Sequence, residues 1–235
     1  MAQEKRGKLL VIDGIDGSGK ATQASLLTKR LRQEGYEVET LDFPQYYNNF
    51  FGSIIGKYLR GEFDQSIQIN PYIASILYAA DRWESSPLLS KWLSSGKIVV
   101  LDRYVSANMG HQGSKIKEQE KRAEFLKWLE EMEFKIYKIA RPDLNILLHL
   151  KPEIAQILVD KKSTREYTKG KKKDSHESDI EYLKSTSECF LDIAKNSQAW
   201  KIIDCNAQDG TSILPIEDIH EKVWKIVLPE IQENT

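Results

Sequence analysis

The sequence predicts a three-layer α/β fold, and three observations carry that expectation. Apolar runs of strand length recur along the 235 residues, at Lys8–Asp13, Glu37–Phe43, Lys97–Asp102, Leu144–Leu150 and Trp200–Asp204. Three of these runs are nearly continuous rather than alternating, as strands covered on both faces are. Helical patterns separate them, and strand alternating with helix is the mark of parallel βαβ units.

Taken in order, the first run, KLLVID, leads straight into a glycine-rich turn, and a helical pattern covers Lys20–Glu34. After the second run come helical patterns over roughly Pro71–Ser95 and, beyond the run KIVVLD, over Lys117–Ile139. The fourth run, LNILLHL, is followed by helical segments Pro152–Lys161 and Ile180–Ala194. A last helix is expected near Ile216–Val227, after the fifth run. No internal repeat and no linker divides the chain, so residues 1–235 are expected to form one domain. The compositional break is KKSTREYTKGKKKDSHE, residues 161–177, too long for an ordinary connection and therefore read as a lid or loop.

Composition narrows the function. The chain is 40% hydrophobic and 29% charged, the range of a globular protein. Lysine and arginine number 34 against 35 acids, so no global charge draws it to nucleic acid or to an acidic membrane. Cys189 and Cys205 have neither metal-ligand spacing nor the look of a disulfide framework, which suits a reducing compartment. The opening MAQEKRGKLLVIDG is unlike a signal peptide, and no stretch reaches 18 uninterrupted apolar residues. A cytoplasmic protein is expected.

The segment Gly14-Ile15-Asp16-Gly17-Ser18-Gly19-Lys20 fits the phosphate-binding pattern G-x-x-x-x-G-K between a strand and a helix. Glycines let backbone N–H groups turn inward around phosphate oxygens. The helix N-terminus adds partial positive charge, and Lys20 can reach the β- and γ-phosphates. Residues 14–22 are therefore the expected ATP site. One position departs from the pattern: Ala21 stands where a hydroxyl usually meets Mg²⁺, and Thr22 lies about 100° further round the helix. The metal must then lean on Asp16 and on Asp102, the carboxylate that ends KIVVLD.

With GIDGSGKAT, Phe43-Pro44, Tyr78-Ala79-Ala80-Asp81-Arg82-Trp83-Glu84 and Asp102-Arg103-Tyr104 in this order, the chain resembles the thymidylate kinases from residue 8 to about 205. The resemblance implies a P-loop NTPase fold with a five-stranded parallel sheet flanked by helices. It also implies ATP and dTMP as substrates, a Mg²⁺ requirement, a homodimer, and a lid closing over both nucleotides.

Tyr78 and Arg82 stand four residues apart on one expected helix and so share a face. An aromatic ring can stack on a pyrimidine while the guanidinium donates to a base oxygen. Arg103, just past a strand end, is placed to clamp the acceptor phosphate or bridge it to the donor. By resemblance, Phe43 and Tyr46 line the acceptor pocket, Asn108 and Gln112 contact base and sugar, and Asp16 lies near the 3′-hydroxyl as well as the metal. His111 stands where relatives often carry tyrosine or another polar residue beside the sugar. No general base is required, because a phosphate monoester oxygen is already anionic.

The basic stretch holds Lys161, Lys162, Arg165, Lys169, Lys171, Lys172 and Lys173. Some thymidylate kinases carry an arginine inside the phosphate loop, which this loop lacks. Arg165, or a lysine of the stretch, is expected to supply that charge, with Asp174 and Glu177 at its acidic end. Adenine contacts are expected at the base of the lid and near Asn206–Thr211. Competing readings are a kinase of another nucleotide or deoxynucleoside, and a silent ATP-binding module suggested by Ala21.

Overall fold

The computed structural model describes residues 6–63, 69–161 and 180–232. Its sheet is parallel throughout: β1 (Leu9–Asp13), β2 (Val38–Asp42), β3 (Ile98–Asp102), β4 (Leu144–His149) and β5 (Trp200–Asp204), in the order β2-β3-β1-β4-β5. Each strand falls inside the apolar run that predicts it. Strand β1 explains why such runs are continuous: Leu10 and Ile12 enter one packed layer, Leu9 and Val11 the other, and all four are fully buried. Each such side chain stabilises the fold by about 1.5–3 kcal/mol.

The layers are helical. On one side α1 (Lys20–Gln33) contributes Leu27 and Leu31, and α8 (Ile216–Gln232) contributes Val223, Val227 and Ile231, at the i, i+4 spacing of a single helix face. On the other side α3 (Pro71–Ser94) sends in Ala79 and Leu89, α4 (Val105–Gly113) Met109, and α5 (Gln119–Glu130) Phe125 and Leu129. Helices α6 (Pro152–Lys161) and α7 (Ile180–Lys195) add Ala155 and Phe190 to the first layer. Helix α3 starts on a capped turn, with Asn70 Oδ1 accepting from Tyr72 N at 2.9 Å and Pro71 in the first helical position.

Two helices go beyond the sequence expectation. Helix α2 (Phe50–Leu59) contains two glycines, and α4, VSANMGHQG, carries Val105, Ser106, Asn108, His111 and two glycines, all weaker helix formers. Packing overrides propensity in both. A Cβ on Gly52 would sit 2.1 Å from Gln45 O, so only glycine lets α2 lie against that loop. The helix expected over Lys117–Ile139 also differs. Regular α-geometry stops at Glu130 and a wide π-helical turn, Glu131–Ile136, takes over. There Tyr137 N reaches back to Met132 O at 2.9 Å.

The topology positions a site. Strands β1 and β3 are neighbours in register, Ile12 opposite Asp102, so the loops leaving their carboxyl ends meet. Among the described residues no helix is long and apolar enough to cross a membrane.

Candidate active site

The loop after β1 turns through Gly17 at φ 89°, a conformation that favours glycine, and a Cβ there would lie 2.4 Å from Ala155 O. Helix α1 then opens with Gly19 as N-cap, no side-chain cap and no acidic residue in its first turn. Its first amides are therefore available to an anion. Lys20 Nζ donates to Ile15 O at 2.9 Å and lies 3.6 Å from Asp16 Oδ1. Burial first, and Arg103 next, push the Lys20 ammonium down to about 8, against the pull of Asp16, Asp102 and Asp13.

Arg103 sits on the first residue after β3 at φ 68°, a left-handed conformation seldom adopted outside glycine. That turn lets its Nη2 pair with Asp16 Oδ1 while Nη1 lies 3.2 Å from His111 Nε2. Burial disfavours its charge, but Asp16, Asp102 and Asp13 more than offset this and hold its pKa well above the ordinary value. Asp13 is fully buried and accepts from Gly14 N at 2.9 Å and Ser106 Oγ at 2.6 Å. Burial raises the carboxyl pKa of both Asp13 and Asp102. Asp13, Asp16 and Asp102 thus crowd one strand edge with Lys20 and Arg103.

Beside this cluster lies a cleft of about 290 Å³. Asp16, Gly17, Gly19, Lys20 and Ala21 form its phosphate-loop side, with Asp102 and Arg103 beside them. Phe43 and Tyr46 line it from the loop after β2, Tyr78 and Arg82 from α3, and Asn108 and Gln112 from α4. Asn108 Oδ1 and Gln112 Oε1 are buried acceptors without a hydrogen-bond partner among the described residues. Arg82 is 2% exposed, and both its Nε and Nη2 donate to Glu133, the former at 2.8 Å.

Helix α3 uses successive residues for different tasks. Tyr78 and Arg82 face the cleft. Asp81 instead accepts from Gln45 N at 3.1 Å and Asn49 Nδ2 at 2.9 Å, holding the loop that carries Phe43, the cis-linked Pro44 and Tyr46. Glu84 accepts from Phe50 N and Phe51 N at 3.0 and 3.2 Å, so it caps α2.

Not every expected residue lines the cleft. Gly14, Ile15 and Ser18 shape the loop from behind: Gly14 N is committed to Asp13, and Ile15 O to Lys20. Thr22 is exposed on α1. Asn206–Thr211 docks on Lys151, whose N meets Asn206 Oδ1 and whose Nζ meets Gly210 O, both at 3.0 Å. Arg165, Asp174 and Glu177, with all but the first residue of the basic stretch, lie outside the described residues.

The structure also brings in residues that the sequence reading passed over. Tyr182 of α7 lines the cleft and places its hydroxyl 3.0 Å from His111 Nδ1. Glu133 had no local signal. Asp13 had one, since like Asp102 it closes a buried apolar run at the carboxyl edge.

Comparison with known proteins agrees with this geometry. The thymidylate kinase family profile matches residues 12–222. The chain is 32% identical over 230 residues to a probable thymidylate kinase of Thermococcus gammatolerans, covering 96% of this chain and 98% of that one. It is 26% identical over 229 residues to the thymidylate kinase of Schizosaccharomyces pombe, covering 97% and 94%. A solved structure of thymidylate kinase from Candida albicans superposes with a TM-score of 0.72 over 97% of this chain and 93% of that chain, at 24% identity. Phosphate loop, strand-end arginine and aromatic–arginine pair converge in one cleft of a fold shared with these proteins, and the chain belongs to the thymidylate kinase family.

Proposed function

We propose that the protein transfers the γ-phosphoryl group of ATP to dTMP, giving ADP and dTDP. One observation carries the reading: Lys20, Asp16 and Arg103 share a cleft with Tyr78 and Arg82, so a polyphosphate and a pyrimidine nucleotide can meet there. The acceptor's phosphate oxygen attacks the γ-phosphorus, and the bond from that phosphorus to the β–γ bridging oxygen breaks. The protein's task is alignment and neutralisation rather than deprotonation.

In this reading the loop amides and Lys20 hold the donor, and Arg103 neutralises charge between the two nucleotides. Tyr78 stacks on the base and Arg82 donates to a base oxygen, while Phe43 and Tyr46 wall the acceptor. The unpartnered acceptors of Asn108 and Gln112 suit N–H and O–H donors of the base and sugar. Arg165, on its sequence position alone, is assigned to the transferring phosphoryl group.

The residues present fit Mg²⁺. Among the described residues no group of three or more His, Cys, Asp or Glu forms a ready metal cage. Mg²⁺ bound largely through substrate phosphates and water does not need one. Asp102 Oδ1 is buried without a hydrogen-bond partner among the described residues, and Asp102 with Asp16 would hold the ion. When bound, the ion supplies neutralisation of phosphate oxygens.

From composition and the lack of a linker we read the chain as one domain in the cytoplasm, and by the family resemblance as a homodimer. The assay that tests the activity measures ADP release with dTMP, dUMP, dCMP and thymidine as acceptors. Fastest turnover with dTMP is expected. ATP binding without transfer to any monophosphate would overturn the proposal.

A further inference from the structure

We propose that Glu133 is a positioning residue for acceptor choice: it fixes the Arg82 guanidinium so that a pyrimidine 4-oxo group is accepted and a 4-amino group refused. The inference rests on the acceptor reading above and extends it to a residue outside the cleft.

The argument starts with donor arithmetic. A guanidinium presents five N–H groups in one plane and no acceptor. In Arg82, Nε donates to Glu133 Oε2 at 2.8 Å, Nη2 to Glu133 Oε1, and Nη1 to Tyr104 O at 3.4 Å. Among the described residues two Nη hydrogens remain, on a side chain that lines the cleft. An all-donor fork satisfies a carbonyl oxygen but leaves an exocyclic amine facing hydrogens of the same polarity, which is how a polar site rejects a near-isostere.

The fork selects only if it cannot turn. Glu133 is fully buried and grips the guanidinium along its Nε–Nη2 edge, the bidentate arrangement that fixes both position and plane. The backbone around it is shaped for this. Glu133 lies in the π-helical turn, whose carbonyls at Met132 and Glu133 accept from Tyr137 N at 2.9 Å and Ile139 N at 3.2 Å. In an uninterrupted α-helix, Ile136 would follow Met132 at i+4 on the inner stripe. Instead Ile136 is 68% exposed, and the carboxylate keeps its place beside Arg82. Wide turns of this kind gather at functional sites. Net stability alone is a weak reason to retain a buried ion pair, since apolar replacements are often neutral or stabilising.

The test is steady-state kinetics of Glu133→Gln with dTMP and dCMP, alongside its melting temperature. Expected are a rise of about tenfold or more in KM for dTMP, a kcat within about threefold, an unchanged KM for ATP, and a dTMP-over-dCMP preference narrowed about tenfold. A folded variant with unchanged KM for dTMP and unchanged preference overturns the proposal. So does a loss spread equally over ATP and both acceptors, the mark of a merely structural role. Should Glu133→Gln not fold, Glu133→Asp carries the same readouts, since it keeps the charge and shortens its reach by one methylene. Arg82→Lys separates the two levels. If Arg82→Lys alters acceptor preference and Glu133→Gln does not, only the Glu133 inference fails. If Arg82→Lys alters nothing, the acceptor-site reading itself fails.

Discussion

Arg103 Nη2 pairs with Asp16 Oδ1 across the mouth of the phosphate loop, joining the turn after β3 to the loop after β1. In the proposed reading the pair brings the acceptor-side arginine to the donor-side carboxylate. It also gives Arg103 a defined direction despite its left-handed backbone.

Replacing Arg103 with alanine should therefore leave the fold intact and cost turnover. A loss of about 100-fold or more in kcat is expected, the scale of removing one preorganised electrostatic contact. Pre-steady-state mixing with dTMP and ATP would show the chemical step slowed. Unchanged kcat would move the neutralising role elsewhere.

Lys20 predicts a pH dependence. Its ammonium is pushed down to about 8 in the free protein, first by burial. The charged form holds phosphate and prevails below that pH, so kcat/KM for ATP should be flat below it. Above about 8 it should fall roughly tenfold per pH unit, because kcat/KM reports the free enzyme. The anionic nucleotide raises the pKa again, so kcat should hold to higher pH. A kcat/KM that stays flat to pH 10 would contradict this assignment.

Asp102 is a carboxylate whose charge burial disfavours and whose Oδ1 has no hydrogen-bond partner among the described residues. Asp102→Asn should raise the Mg²⁺ concentration for half-maximal activity by about tenfold or more. The sign for stability is opposite. A carboxyl with a raised folded-state pKa is destabilising when ionised, and removing its charge should raise the melting temperature measured at pH 7. A Mg²⁺ titration together with a thermal melt reads both effects.

Gly17→Ala tests the loop geometry. The added Cβ would lie 2.4 Å from Ala155 O at a φ of 89°. Strain of about 1–3 kcal/mol is expected, since neither α6 nor the turn can give way cheaply. Calorimetric ATP titration should show weakened binding and a melt should show a lower midpoint. Unimpaired ATP affinity would mean that the loop does not need this turn.

Much of this was legible in the chain because it is written locally. Period and burial decide a strand: KLLVID must be covered on both faces, and β1 is. The phosphate loop reads directly because glycine positions and a helix start are properties of neighbouring residues. Tyr78 and Arg82 share the cleft because four residues along a helix return to nearly the same face. Even α3 as a whole was readable, expected over roughly Pro71–Ser95 and found over Pro71–Ser94.

Tertiary structure alone decided the rest. Helices α2 and α4 run against the propensities of their glycines and polar residues and exist because packing rewards them. Glu133 finds Arg82 across 51 residues, and Tyr182 finds His111 across 71, separations at which no local pattern records a partner. The wide turn that ends α5 likewise has no local signature. A sequence by itself determines which backbone shapes its neighbours permit. Which side chains share a buried volume is set only when the sheet's strand order brings distant segments together, since contact energies act through space and not along the chain.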